Sequence, residues 1–270
     1  MNPKEWDEAI KKLADSVRDL PVIRTDVYDK VAVIVEPRNL NVITDLLVWM
    51  VHLLSPKGWH VIVYHGNLNL ELVRSTSVSH LIEFRSLDKD NLTIQDYSNL
   101  LKTIEFWEPI RFENILIFQT DSVLLDNNLD EFLKYDFVGA PFTEECVKLY
   151  NVKQPVGNGG LSLRKRTAML KVLSIHKKYP RIIRRRFYNF EDVFFTNYPL
   201  YMIVCPTKEV AMDFSVECIW HNNPKGYHKP WLYLEKEKMD QVYENILSFS
   251  KTNETLILET TLSIDVPTTV

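Results

Sequence analysis

Short apolar runs alternate along the first half of the chain with stretches in which apolar residues recur every three or four positions. The runs at 31–35 (VAVIV), 59–64 (WHVIVY), 80–84 (HLIEF) and 115–118 (ILIF) predict strands, and the densest read as buried on both faces. Between them, 41–54, 68–75 and 93–107 have helical period, with Thr93 near the cap of the last. Residues 4–19 form a further amphipathic helix, with Trp6, Ile10, Leu13 and Val17 on one face and Pro21 beyond its end. Strand and helix thus alternate three times, which predicts an α/β domain: a parallel sheet with helices on both faces.

Beyond residue 121 the pattern loosens. Residues 136–141 predict a short strand and a turn. Residues 154–163 (QPVGNGGLSL) hold three of the seven glycines and end in an apolar strand. Helices are expected over 165–176 and 190–198, a strand over 210–218, a Pro/Gly-punctuated loop over 221–231 and a helix over 232–250. The last twenty residues, rich in Thr, are expected to form a peripheral strand and a frayed end. No repeat, low-complexity tract or linker divides the chain, so it reads as a single domain.

Composition narrows the classes. The chain is 46% hydrophobic and 25% charged, enough to bury a sizeable core. Its net charge of −4 argues against a general nucleic-acid binder. Basic residues do cluster at Arg164-Lys165-Arg166 and across 177–186, which leaves room for a phosphorylated ligand. The three cysteines, Cys146, Cys205 and Cys218, form no C-x-x-C pair. That speaks against a structural zinc site or a disulfide framework and fits a reducing compartment. The N-terminal stretch lacks the apolar core of a signal peptide, and no run approaches the ~18 apolar residues of a membrane span. The expectation is a soluble, cytoplasmic protein with no membrane span.

Several residues could carry chemistry. Asp121 follows the strand at 115–118, where open α/β sheets bind ligands. A carboxylate there can hold a hard divalent cation whose shell a diphosphate completes, or it can simply start a turn. Gly157-Asn158-Gly159-Gly160 allows backbone to approach a ligand closely, or makes a tight turn. Glu191-Asp192 opens a helix, where the dipole favours acids; one of the two could equally be a general base. His228 is a candidate metal ligand or an ordinary surface histidine. Lys229 could meet a phosphate, and Trp231 could line a sugar or base or belong to the core. Glu36 and Arg38 follow the first strand. Arg38 either holds a phosphate or pairs with Glu36. His65-Gly66-Asn67 lies at the same edge.

The order of these pieces resembles glycosyltransferases of the GT-A fold, over about residues 31–231. The resemblance implies a Rossmann-like domain with a mixed, mainly parallel central sheet. It divides the chain into an N-terminal helix (1–22), a nucleotide-binding half (31–125), a donor-sugar and acceptor half (126–231) and a C-terminal extension (232–270). In that superfamily a D-x-D motif ends the fourth strand. Here the matching residues are Gln119-Thr120-Asp121, so Asp121 inherits the metal and Gln119 and Thr120 become nucleotide contacts. Gly159 and Gly160 would line the donor-sugar pocket. Glu191-Asp192 is similar to the Glu-Asp motif of inverting members, which makes Asp192 the base and Glu191 a sugar or acceptor contact. Residues 226–231 (GYHKPW) are similar to the loop that closes over the diphosphate, with His228 as second metal ligand, although Lys229-Pro230-Trp231 also resembles retaining, glycogenin-like members.

More narrowly, the motifs VEPR, HGN, FQTDS, FSVE and GYH resemble an uncharacterised, glycosyltransferase-like domain family of large DNA viruses, fungi and plants. The expected activity is Mn²⁺- or Mg²⁺-dependent transfer of a sugar from a nucleoside-diphosphate sugar, most readily a UDP-sugar. The acceptor would be a glycan, protein or small molecule, and the transfer would invert configuration. Gln119 keeps open a non-catalytic sugar-nucleotide or glycan-binding module. A nucleotidyltransferase would carry a Gly-rich, basic signature where this chain has Glu36-Pro37-Arg38-Asn39.

Overall fold

The computed structural model describes residues 2–179, 190–198 and 202–264, with 251–264 given by backbone alone. Its framework is a six-stranded sheet, in spatial order β3-β2-β1-β4-β7-β6. These are β1 (Lys30–Glu36), β2 (Trp59–His65), β3 (Ile82–Ser86), β4 (Asn114–Phe118), β6 (Phe137–Val138) and β7 (Leu161–Lys165). The first four run parallel; β7 lies antiparallel between β4 and β6. The expected mixed, mainly parallel sheet is therefore present. β5 (Ser122–Leu124), β8 (Ser215–Val216) and β9 (Gly226–His228) form a second, three-stranded sheet in the order β5-β9-β8.

Alternation along the strands sends side chains into two cores. Ala32, Ile34, Val61, Val63, Leu116 and Phe118 pack with α1 (Pro3–Asp15), α2 (Val42–Leu54) and α10 (Lys236–Ile264). Val31, Val33, Ile62, Ile115 and Ile117 pack with residues of α4 (Ile94–Leu101), α5 (Ile104–Trp107), α7 (Arg166–Lys178) and α8 (Glu191–Thr196). Both faces are covered, which is why these strands read as unbroken apolar runs.

α1 starts at a capping box between Asn2 and Glu5, with Pro3 at its first turn. It buries Trp6, Ile10 and Leu13. The Trp6 ring lies 5.0 Å from that of Trp231.

Four expectations need correction. The helix over 93–107 is two: α4 ends at Leu101, and Thr103 caps α5, its hydroxyl accepting from the Phe106 N–H. The strand expected over 210–218 is α9 (Lys208–Phe214) followed by β8, because Thr207 caps a helix ahead of the apolar run. The loop over 221–231 contains β9. The helix expected over 232–250 starts at Lys236 and continues to Ile264, where a peripheral strand was expected; residues 265–270 lie outside the described part.

The basic cluster at 164–166 is no patch. Arg164 is buried, Lys165 donates to the Lys134 carbonyl, and Arg166 donates to the carbonyls of Trp107 and Glu108. The second cluster, 177–186, lies partly outside the described residues. No described helix is long and apolar enough to cross a membrane.

Trp6 clamps α1 onto Trp231, so Trp6→Ala should cost about 3–5 kcal/mol in urea unfolding. A cost below about 1 kcal/mol would contradict a core that includes α1.

Candidate active site

The sheet reverses its order of growth between β1 and β4, with β2 on one side of β1 and β4 on the other. A crevice at that point, beyond the strand ends, is where open α/β sheets hold ligands. Ile34 pairs with Phe118, so the next residues out, Glu36 and Thr120, lie side by side. The Thr120 hydroxyl donates to Glu36 Oε2 at 3.4 Å. Glu36 is 4% exposed and accepts from the Arg38 backbone N–H at 2.9 Å, from Nε at 2.8 Å and from Nη2 at 2.6 Å. Of the two roles open to Arg38, pairing with Glu36 is what the structure displays, although its side chain stays half exposed.

Asp121 stands at the tip of the turn that carries the chain from the large sheet to the small one. Ser122 closes that turn: its hydroxyl donates to the Gln119 carbonyl at 2.9 Å and accepts from the Gln119 N–H at 3.0 Å. β5 then pairs antiparallel with β9, Ser122 opposite His228, and the Lys229 N–H donates to the Asp121 carbonyl at 3.0 Å. This pairing delivers His228 and Lys229 to Asp121 across 107 residues of sequence. Lys229 Nζ is 3.0 Å from Asp121 Oδ2, and His228 Nε2 is 3.4 Å from Oδ1. On its other side, His228 Nδ1 is 3.0 Å from Glu217 Oε1.

Burial alone would push the Asp121 carboxyl up and the His228 imidazole down. Their mutual attraction, with Lys229 and Glu217, reverses both: Asp121 is drawn to about 2 and His228 to about 9.

The glycine-rich loop holds these groups together. A Cβ on Gly160 would sit 2.1 Å from His228 Nε2, and one on Gly159 would sit 1.9 Å from Glu191 Oε1. The glycines make room for two buried side chains of the protein itself, a third role beside ligand approach and turn. Glu191 faces inward, 4% exposed. Its Oε1 accepts from Arg164 Nη2 at 2.8 Å, and its Oε2 lies 3.5 Å from the Ser98 hydroxyl. The Arg164 guanidinium is flanked by the rings of Phe137, Trp107 and Phe195.

Asp192, at the start of α8, accepts from the Asn158 N–H at 2.9 Å and from its neighbour Val193 at 2.7 Å. Burial, then the charges of Glu191 and Glu217, raise its pKa well above the usual carboxylate range. The N–H of Val193 and the charge of Arg164 oppose that rise.

Unpaired polar atoms gather here. Among the described residues, nine buried side-chain nitrogen or oxygen atoms lack a hydrogen-bond partner. Six belong to Tyr97, Asp121, Asn158, Arg164 and His228. Asp121 Oδ1 and both His228 nitrogens are close to opposite charges without the alignment of hydrogen bonds. Buried polar groups are normally paired, so such a concentration marks a place built for something else. A buried carboxylate oxygen and imidazole nitrogen 3.4 Å apart, not aligned as a hydrogen bond, could serve as a donor pair for a divalent cation once the imidazole gives up its proton. Among the described residues no group of three or more His, Cys, Asp or Glu could hold a metal, so a cation here would need further ligands from outside the protein.

Glu36, Arg38, Thr120, Asp121, Gly159, Gly160, Glu191, Asp192, His228 and Lys229 thus converge. Gln119 adjoins Tyr97, whose buried hydroxyl also feels Glu191 and Arg164. Trp231 does not converge with them: half-buried, it packs on Trp6 at the edge of the first core. Tyr97 and the role of Arg164 were not expected. The alternation of β7 was the available signal for Arg164, since Leu161 and Leu163 face one core and Arg164 the other. A cavity of about 370 Å³ lies elsewhere, lined by Val17, Trp49, His52, Asn127 and Phe249. Its His52 and Asn127 side chains are already bonded to backbone carbonyls.

A large share of the chain, residues 81–228, matches the model of a family described as "Protein of unknown function (DUF5672)". The chain belongs to that family. No curated protein matches it. Among solved structures, the apo-form glycosyltransferase GlyE of Streptococcus pneumoniae TIGR4 matches at 11% identity with a TM-score of 0.44. The match covers 89% of this chain and 64% of that one, so this chain spans less than two thirds of that protein.

Two outcomes follow from this geometry. Gly160→Ala would drive a methyl into the His228 ring and Gly159→Ala one into the Arg164-held Glu191, each costing about 1–3 kcal/mol in denaturant unfolding. Wild-type stability in both would contradict the packing. The second outcome concerns pH. The raised pKa of His228 stabilises the fold fully below its ordinary 6.5, and that contribution is lost as pH climbs through about 9. The lowered pKa of Asp121 acts above its ordinary 3.8 and is lost as pH falls through about 2. Metal-free protein should therefore lose stability from pH 6.5 to above 9, by at most about 3 kcal/mol, and His228→Asn should flatten that loss. An unchanged slope in the variant would contradict the pairing.

Proposed function

We propose that this protein is a glycosyltransferase that moves a sugar from a nucleoside-diphosphate sugar, a UDP-sugar first among them, to an acceptor hydroxyl with inversion. The observation that carries the reading is the buried Asp121–His228 pair, with Oδ1 and Nε2 3.4 Å apart at the switch point of a mainly parallel sheet. Asp121 and His228 would hold Mn²⁺ or Mg²⁺ against the diphosphate, where such an ion offsets charge on the leaving phosphate. Lys229, 34% exposed and beside Asp121, offers a point charge to the same phosphates.

Asp192 takes the proton of the attacking hydroxyl. Two features suit it to that role. Its raised pKa gives it basicity, and two backbone N–H groups fix its oxygens. Glu191, held by Arg164, fixes the start of α8 and so the position of Asp192. Gln119 at the first D-x-D position and the small number of protein ligands favour a second reading, a sugar-nucleotide-binding module without catalysis.

The test is release of UDP from a panel of UDP-sugars with Mn²⁺, with water or added sugars as acceptors. Asp192→Asn should lower the rate about 10²–10⁴-fold while donor binding stays nearly intact. The wild-type rate should rise with pH through a value well above the ordinary 3.8 of an aspartate. Turnover retained in Asp192→Asn would overturn the assignment of the base. Donor binding without any turnover in the wild type would favour the binding module.

A further inference from the structure

Glu217 makes no contact in the reaction just described, although its segment, Phe214 to Glu217, is one of the motifs that stand out in the sequence. The fold gives that segment a purpose. β8 runs parallel to β9 with Val216 opposite Tyr227, so the next residues, Glu217 and His228, emerge side by side. Their side chains are 16% and 7% exposed, and Glu217 Oε1 lies 3.0 Å from His228 Nδ1. The opposite ring nitrogen, Nε2, faces Asp121 Oδ1. Gly160 presses on the ring at Nε2, and Lys229 engages the other oxygen of Asp121.

A neutral imidazole carries one proton on two nitrogens. To offer a lone pair from one it must hold its proton on the other, and that N–H needs an acceptor. We infer that Glu217 is a positioning residue for the cation site: with Oε1 3.0 Å from Nδ1, it keeps the proton of His228 on Nδ1 when Nε2 gives up its own to a cation beside Asp121. The inference rests on the cation reading of the Asp121–His228 pair. It also excludes the obvious alternative, that Glu217 is itself a third ligand. The two nitrogens of an imidazole point away from each other, so a carboxylate at Nδ1 does not share an ion bound at Nε2. The charge of Glu217 also reaches Asp192, whose pKa it raises.

The test is calorimetric titration of MnCl₂, alone and with UDP, into the full chain as wild type, Glu217→Gln and Glu217→Leu. Electron spin resonance of free Mn²⁺ provides an independent count. Gln keeps a carbonyl oxygen that accepts the Nδ1–H; Leu does not. Glu217→Leu should weaken Mn²⁺ binding about 10–100-fold, and Glu217→Gln should recover most of it. Glu217→Ala replaces the Leu variant if that one does not fold, with the same loss expected. Binding by the Leu or Ala variant as tight as wild type would overturn the inference. So would a loss in Glu217→Gln as large as in Glu217→Leu, which would make Glu217 a ligand or a required charge. A wild type that takes up no Mn²⁺ would instead overturn the cation reading, and the role of Glu217 with it.

Discussion

The close approach of the Gly159-Gly160 backbone to two buried side chains is the constraint on which the site depends. Neither Glu191 nor His228 would fit with a methyl group at those positions. The loop is also where the halves of the site meet. Asn158 holds Asp192 through its N–H, Gly159 seats Glu191, and Gly160 seats His228. One short segment between β6 and β7 therefore aligns the proposed base with the proposed cation site. Its own position is fixed by the pairing of β7 with β4.

Charge balance explains why so many ionised groups are tolerated in a buried crevice. Arg164 offsets Glu191, Arg38 offsets Glu36, and Lys229 with His228 offsets Asp121 and Glu217. In this crevice Asp192 is left with backbone N–H groups in place of a contacting cation, and its pKa is raised. In the metal-free protein His228 supplies positive charge between two carboxylates. With a cation bound, the ion would supply that charge and the imidazole would give up its proton, so uptake of metal and release of a proton should be linked.

Much of this was legible in the sequence, for physical reasons. Strands buried on both faces leave dense apolar runs, so β1, β2 and β4 stood out, and the polar residues after them marked the sheet edge. Glu36 and Asp121 were placed at that edge for that reason, and Thr120 through the resemblance to the D-x-D tripeptide. The second sheet was not legible, because β8 and β9 are two and three residues long and carry little periodicity. With them went the placement of Glu217 beside His228, which depends on register and not on spacing. Arg164 was misread for a related reason: next to Lys165 and Arg166 it looked like surface charge, and only the two-sided burial of β7 turns it inward. Trp231 was open to either role, and its packing on Trp6, over two hundred residues away, could not be read from spacing.

The central claim is that Asp121 helps bind a cation together with a nucleoside diphosphate. Calorimetric titration of UDP and of GDP, with and without Mn²⁺, into wild type and Asp121→Ala tests it most directly. The account predicts UDP binding that requires Mn²⁺ and is lost in Asp121→Ala. Binding of GDP in place of UDP would keep the mechanism and change the donor. Nucleotide binding indifferent to both Mn²⁺ and Asp121, or no binding at all, would contradict the account.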